Sequence, residues 1–324
     1  MFRAVLAVVL VLGMAAAAAP FGVRWLLDRP GPLPDSRDIV VPRGSTAQLG
    51  AALTEAGVLT RPLPFELAAW LTWRDGPLRA AEFAFPAHAS LRTVLAVLRT
   101  GKPVQHMLTI PEGLTSKQIV ALVDRAEALT GTTPVPPEGS VLPQTYAYEY
   151  GTSRAALLAR AQAAMTRALD TAWADRAPNL PIYSPEEALT LASIVERETA
   201  KPEERAHVAS VYINRLRIGM KLQADPTVVY AASNGLGVLD RKLSRADLER
   251  DDPYNTYRVA GLPPGPIAAP GLATLQAVLH PAPSDDLYFV ADGSGGHVFA
   301  KTLEAHTRNV AAWRALNAPP HPSD

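Results

Sequence analysis

Apolar and polar positions change their spacing several times along the chain. From Ala4 to Val23, AVLAVVLVLGMAAAAAPFGV, 20 consecutive residues carry no charge, and Arg3 and Arg24 bound them. That is about the length an α-helix needs to cross a hydrocarbon core of roughly 30 Å. A cleaved signal peptide has a shorter apolar region, about 7–15 residues, that ends at an A-x-A-like site. The Ala15–Ala19 run keeps that alternative open, but the apolar stretch continues through Phe21 and Val23, and Pro20 disfavours cleavage after Ala19. An uncleaved anchor is the expectation. Arg3 on one side against Arg24 and Arg29 on the other leaves its orientation undecided.

After a Pro-rich segment, DRPGPLPDSRD over residues 28–38, the pattern becomes short β-like runs that end at proline and are followed by amphipathic helices. VVPRGSTAQLGAALTEAGV (40–58) and TIPEGLTSKQIVALVDRA (109–126) align as a weak repeat, with Thr46 and Thr115 four residues after Pro42 and Pro111. AFPAHASLRTVLAVL (84–98) is a looser copy with Ser90 in the threonine place. A Pro/Gly-rich loop over 130–143 precedes a helical pattern over 155–169. Ser184-Pro185-Glu186-Glu187 reads as a capping box with proline at the first helical position. In the helix it opens, Ala188, Leu191, Val195 and Glu198 recur at a 3,4,3 spacing and form one stripe that is apolar until its last member. Lys201-Pro202 restarts a helix that carries Val208, Val211, Tyr212 and Leu216 inward and ends at Gly219. GSGGH at 293–297 follows the apolar LYFVAD run and reads as a hairpin turn.

Composition narrows the chemistry. The 324 residues hold 31 Lys+Arg against 31 Asp+Glu and no Lys/Arg run, so the basic footprint of a nucleic-acid binder is missing. The absence of Cys excludes thiol nucleophiles, thiolate metal sites and disulfides. The seven His show no HExxH and no close pair at ligand spacing, so no metal is expected, and no Walker loop, GxGxxG or GxSxG suggests a cofactor or a serine nucleophile.

Glu196 and Glu198 lie two apart, so on a helix they diverge by about 200° and must play different parts. Glu198 continues the apolar stripe, where desolvation would raise its pKa and suit it to general acid catalysis. Glu196, four residues after Ala192, is the second candidate. From spacing alone, both also suit a solvated helix end or pairing with Arg197, Arg205 or Arg215, as charged residues near helix ends commonly do. Asn214, Gln223, Asp225 and Thr227 cluster at a helix–loop junction, and Tyr254, Asn255 and Tyr257 lie on the rigid loop DDPYNTYRVAGLPPGPIAAPG (251–271). Aromatic and amide side chains there suit sugar recognition or simple loop packing.

LASIVERETA (191–200), VASVYINRLRIGMKLQADPTVVY (208–230), YNTYRVAGLPPGPIAAPG (254–271) and LYFVADGSGGHVFAKTLEAHTRNV (287–310) resemble the signature blocks of the endolytic murein transglycosylase, or YceG-like, family. IPEGLTSKQI (110–119) and EGSVLPQTYAYEYG (138–151) resemble its earlier blocks, and the likeness spans roughly residues 39–316. Gln144 departs from an acidic residue usual in that family.

The resemblance implies an α+β chain with a transmembrane helix over 1–24, a Pro-rich linker over 25–38 and a small LysM-like substrate-binding module over 39–128. A larger, mainly helical catalytic domain with a few strands would occupy 129–316, and a disordered tail 317–324. It also implies a single-pass inner-membrane lyase whose catalytic domain is extracytoplasmic. Such an enzyme cleaves the β-1,4 bond between N-acetylmuramic acid and N-acetylglucosamine, leaves 1,6-anhydro ends, and works beside peptidoglycan synthases. Its catalytic glutamate lies in the I-V-E-R-E-T block, and the stripe selects Glu198 over Glu196. The seven polar and aromatic residues at 214–227 and 254–257 become candidate glycan contacts. The alternative is a non-catalytic peptidoglycan-binding scaffold of the wall-synthesis machinery.

Overall fold

The structure is a computed structural model that describes residues 2–316; the expected tail over 317–324 lies outside the described residues. Two compact units divide the chain, residues 1–106 with 147–151, and 107–146 with 152–324.

The first unit begins with α1 (Phe2–Asp28) and continues β1 (Arg37–Val40), α2 (Thr46–Glu55), α3 (Pro62–Leu71), β2 (Glu82–Phe85) and α4 (Leu91–Thr100). β1 pairs antiparallel with β2, Ile39 opposite Phe83, and these strands cover a core that includes Leu53, Phe65, Phe85 and Leu98. Most side chains of 2–19 lie outside the described residues, and with them most of the expected membrane span. Among the described residues no helix is long and apolar enough to cross a membrane.

α1 runs past Arg24 into the segment read as a linker, and that segment packs instead of spacing. Leu27 and Leu33 are buried in the core, and Gly31 donates its N–H to His88 O at 3.1 Å. Glycine is required there, because a Cβ on residue 31 would come within 2.2 Å of Ala89 O.

The helix caps refine the expected repeat. Ser90 and Thr115 cap their helices as read, but the first copy is capped by Ser45, one residue before Thr46, because its turn after proline is shorter. The 109–126 copy does not stay with the other two: residues 107–128 belong to the second unit, not with 39–106.

β3 (Gln105–Thr109) pairs with β4 (Thr145–Glu149), with α5 (Ser116–Asp124) between them in sequence. The second unit is otherwise mainly helical, with one hairpin: α6 (Arg154–Ala174), α7 (Pro185–Glu198), α8 (Arg205–Arg217), α9 (Asp225–Ala232), α10 (Arg245–Glu249), α11 (Leu272–Leu279), then β5 (Tyr288–Ala291), β6 (His297–Ala300) and α12 (Leu303–Leu316). β5 and β6 form the expected hairpin, with Ala291 opposite His297. Gly293 and Gly295 in its turn take φ of 84° and 85°, a region glycine enters without steric cost.

α7 is the centre of this unit and packs against α6, α8 and α11. The Ser184 hydroxyl accepts from Glu187 N–H as expected, but the Glu187 carboxylate accepts from Tyr183 N–H at 2.6 Å, so only half of the capping box forms. Burial is also wider than the single stripe. Every residue from Thr190 to Val195 is buried, and buried Ser193 accepts from Ile267 N–H at 2.9 Å, which ties the long 251–271 loop to the helix. Leu191 is fully buried in this cluster, so Leu191→Ala is expected to destabilise the second unit by about 2–5 kcal/mol in urea denaturation followed by circular dichroism.

Candidate active site

From Thr190 to Val195 α7 is buried on all sides and leaves no room for charge, and the charged residues that follow, Glu196, Arg197 and Glu198, fall in its last turn. The two glutamates diverge, and their surroundings separate them further. The Glu196 side chain is 5% exposed, and its Oε2 accepts from Gly271 N–H at 2.9 Å and Thr274 Oγ1 at 2.6 Å. Gly271 is the N-cap of α11 and has no side chain to satisfy the helix's first N–H groups. Glu196 supplies that cap from another helix and brings negative charge to the positive end of the dipole. Its Oε1 lies 3.7 Å from Arg205 Nη2, which also reaches Glu112 at 3.1 Å. Arg197, the residue between, donates to the carbonyls of Gly113 and Gly237 and fixes two loops.

Glu198 meets a different environment. Tyr212, buried on α8, donates its hydroxyl to Glu198 Oε1 at 2.5 Å. The carboxyl group is half-buried and faces a cavity of about 380 Å³ that Tyr212, Arg215, Gln223, Asp225 and Tyr257 help to line. Enclosure by protein pushes its pKa up, and the nearby Asp225 charge pushes the same way. The Tyr212 hydrogen bond and the Arg215 charge oppose them, and the balance stands at about 7. At neutral pH this carboxyl therefore exists in both protonation states, as a proton donor and acceptor requires.

The other walls hold the site in shape. Arg215 donates Nε to Leu287 O at 2.7 Å and Nη1 to Leu222 O at 2.6 Å, and its guanidinium lies 5.3 Å over the Tyr288 ring. It brings a positive charge near Glu198 without forming an ion pair with it. Tyr257 donates its hydroxyl to Asp225 Oδ1 at 2.6 Å. Gln223 adopts φ 50°, a left-handed backbone that costs a non-glycine residue of order 1–3 kcal/mol and tends to mark functional loops. His306 on α12 stacks on Tyr288 at 5.1 Å, and burial with the Arg215 charge holds its pKa below the usual value. Its Nδ1 is buried with no hydrogen-bond partner among the described residues.

Of the seven expected glycan contacts, the structure brings Gln223, Asp225 and Tyr257 to the Glu198 cavity. The others are committed elsewhere. Asn214 Nδ2 donates to Ser284 O and Asp286 O, and fully buried Asn255 donates to the carbonyls of Asp247, Leu248 and Arg250. Buried Thr227 hydrogen-bonds Thr256 and Ala224, and Tyr254 packs on Tyr230 with ring centroids 4.9 Å apart. Tyr212, Arg215, Tyr288 and His306 were not singled out as site residues from the sequence. The only available signal was helical phase, because Tyr212 and Arg215 share the inward side of α8 with Val208.

The two glutamates should respond oppositely to amide substitution. Glu196→Gln removes a buried charge that caps α11, and is expected to cost about 1–3 kcal/mol in urea denaturation. The Glu198 pKa is raised on folding, so the folded protein holds a proton that the unfolded chain releases near 4.5. The stability from that proton is present below about 4.5 and lost as pH rises through about 7. Glu198→Gln is expected to flatten that part of the stability curve and to leave the protein at least as stable as wild type at pH 8 (about one unit above the raised pKa).

Residues 39–312 match the YceG-like family. Two Streptococcus pneumoniae proteins named endolytic murein transglycosylase are 32% identical over 356 aligned positions, which cover 93% of this chain and 63% of theirs. A Bacillus subtilis protein of the same name is 49% identical over 120 residues, 37% of this chain and 32% of that protein. The crystal structure of a yceG-like protein from Listeria monocytogenes superposes with a TM-score of 0.52 at 28% identity, covering 85% of this chain and 98% of that one. The chain thus spans 63% of the length of the S. pneumoniae relatives, and over that span it belongs to the YceG-like family.

Proposed function

We propose that the protein is an endolytic lytic transglycosylase that cuts the β-1,4 bond between N-acetylmuramic acid and N-acetylglucosamine in peptidoglycan strands. The observation that carries this reading is a single carboxyl group, Glu198, poised at about 7 and opening on a cleft of polar and aromatic side chains. The names of the relatives support the same chemistry. Protonated Glu198 donates to the bridging oxygen as the bond to the muramyl anomeric carbon breaks. The resulting carboxylate then takes the proton of the muramyl 6-hydroxyl as that oxygen closes on the same carbon. One proton leaves Glu198 and one returns, no water is consumed, and the product ends in a 1,6-anhydro ring. An ordinary glycosidase needs a second carboxylate to activate water or attack the sugar. Asp225 lines the same cleft but is engaged by Tyr257; in this reading its charge favours the positive character that develops at the anomeric carbon.

The attachment and the first unit belong to the same proposal. α1, with 20 uncharged residues between Arg3 and Arg24, acts as a single-pass anchor that keeps the second unit extracytoplasmic, beside peptidoglycan synthases. The β1-α2-α3-β2 arrangement, with its strands paired antiparallel, serves as the LysM-like glycan-holding module.

Polymeric peptidoglycan digested with the full chain, followed by mass spectrometry of the strand ends, tests the chemistry. Anhydro-muramic ends are expected, with the rate falling as pH rises through about 7. Glu198→Gln should lower the rate by about 10²–10⁴, whereas folded Glu196→Gln should keep cutting. Reducing ends would instead indicate water as nucleophile and give Asp225 the role of the second carboxylate.

A further inference from the structure

α3 is apolar on both faces. Its sequence PLPFELAAWL contains one charge, and Phe65, Ala68 and Ala69 fill the core of the first unit. On the opposite side Leu63, Leu67, Trp70 and Leu71 recur at helical spacing, and Trp73 extends them beyond the helix end; each is between 50% and 71% exposed. A helix apolar all round is normally covered on every side. This one is left open over a surface that includes two tryptophans.

The position of that surface points to what covers it. The last turn of α1 is built into the same unit: Leu27 is buried in the core, and Asp28 pairs with Arg92 on α4 at 2.6 Å. Both ends of α3 lie beside that turn. Leu26 and Arg29 share a cavity of about 430 Å³ with Arg61 and Pro64 at the start of α3. Leu27 shares another, of about 230 Å³, with Thr72 and Asp75 just past its end. α1 itself presents exposed Phe21 and Trp25 one turn apart. Arginines rim the apolar patches: exposed Arg61 is the N-cap of α3, Arg74 lies 5.6 Å over the Trp73 ring, and Arg29 lies 5.6 Å over the Trp25 ring. Tryptophan and arginine together suit the boundary between headgroups and acyl chains, where the ring stays partly wet and the cation meets anionic phosphate.

We infer that the outer face of α3 is a membrane-docking surface: it lies in the bilayer interface beside the emerging α1 and holds the first unit down against the lipid. The inference rests on the reading of α1 as an anchor. The occupant is an anionic phospholipid surface, and the face sinks to the depth of an interfacial helix, roughly 5–10 Å below the headgroups. The consequence is geometric. A unit fastened both through α1 and through α3 has a fixed tilt, so the side that holds glycan faces strands at the membrane and does not sample all directions.

The test uses the full chain in nanodiscs of phosphatidylethanolamine and phosphatidylglycerol whose acyl chains carry bromine, a contact quencher of indole. Three versions each keep one of the five tryptophans, Trp25, Trp70 or Trp73, with the other four replaced by phenylalanine. All three are expected to lose roughly half or more of their emission relative to unbrominated nanodiscs, as an interfacial depth requires. Adding Leu63→Glu with Leu67→Glu places charge on the exposed face without touching the core. It should restore most of the Trp70 and Trp73 emission while Trp25 stays quenched. In the otherwise wild-type chain, Trp70→Phe with Trp73→Phe should reduce the bromine-dependent loss to the part that Trp25 contributes. Quenching of Trp25 alone, with Trp70 and Trp73 open to aqueous acrylamide, would overturn this inference and leave the anchor standing. Trp70 and Trp73 shielded from both quenchers would show a protein surface, such as a second copy, in place of lipid. No quenching of any of the three would remove the anchor and the docking surface together.

Discussion

The second unit is organised around one costly act, the enclosure of an ionisable carboxyl at the end of a helix whose central residues are sealed in the core. Everything near Glu198 either imposes that cost or limits it. α7 imposes it, because residues Thr190 to Val195 are buried on every side and carry the chain straight from the core to the cavity. Tyr212 limits it with one short hydrogen bond, and Arg215 limits it at a distance. Had Arg215 closed on Glu198 as a direct ion pair, the carboxylate would have been held charged and poor as a proton donor. Its guanidinium is spent on backbone carbonyls of Leu222 and Leu287, so the positive charge stays close without capturing the acid.

Glu196 shows the same residue type used for the opposite purpose two positions earlier. Its carboxylate satisfies the N–H of a glycine cap and a threonine hydroxyl at the start of α11, with Arg205 nearby. It is a brace between helices, and the brace holds the loop that runs from Tyr254 to Gly271 against α7. The identical spacing in sequence hides this division of labour, because a helix turns about 200° between the two side chains and delivers them to unrelated neighbours.

What the sequence made legible follows from that logic. The stripe of Ala188, Leu191 and Val195 leads along one face to Glu198, which the structure leaves half-buried at the cavity, since helical phase is a local property. Gln223, Asp225 and Tyr257 were also picked out, being polar or aromatic groups in loops around the helix ends. Asn214, Thr227 and Asn255 looked the same in sequence but act as internal hydrogen-bond hubs. Asn255 closes three carbonyls at the C-terminal end of α10, those of Asp247, Leu248 and Arg250, and only the folded chain shows that those carbonyls needed a donor. Helical phase turns Tyr212 and Arg215 inward but does not place them at the cavity, and nothing local marks His306, because they reach it from α8 and α12, whose approach to the cavity is tertiary. The first unit erred in smaller ways: a turn one residue shorter moved a cap from Thr46 to Ser45, and a Pro-rich segment expected to be a spacer packs through Leu33.

The central claim is that the fold holds Glu198 as a half-protonated acid near neutral pH. Nuclear magnetic resonance of protein labelled with carbon-13 at the glutamate side-chain carboxyl measures this directly, with the Glu198 signal assigned by its loss in Glu198→Gln. The account requires that signal to titrate near 7, well above the usual value of 4.5. A Glu198 carboxyl that titrates at 4.5 with the solvent-exposed glutamates would contradict the enclosure and the single-acid chemistry that depends on it.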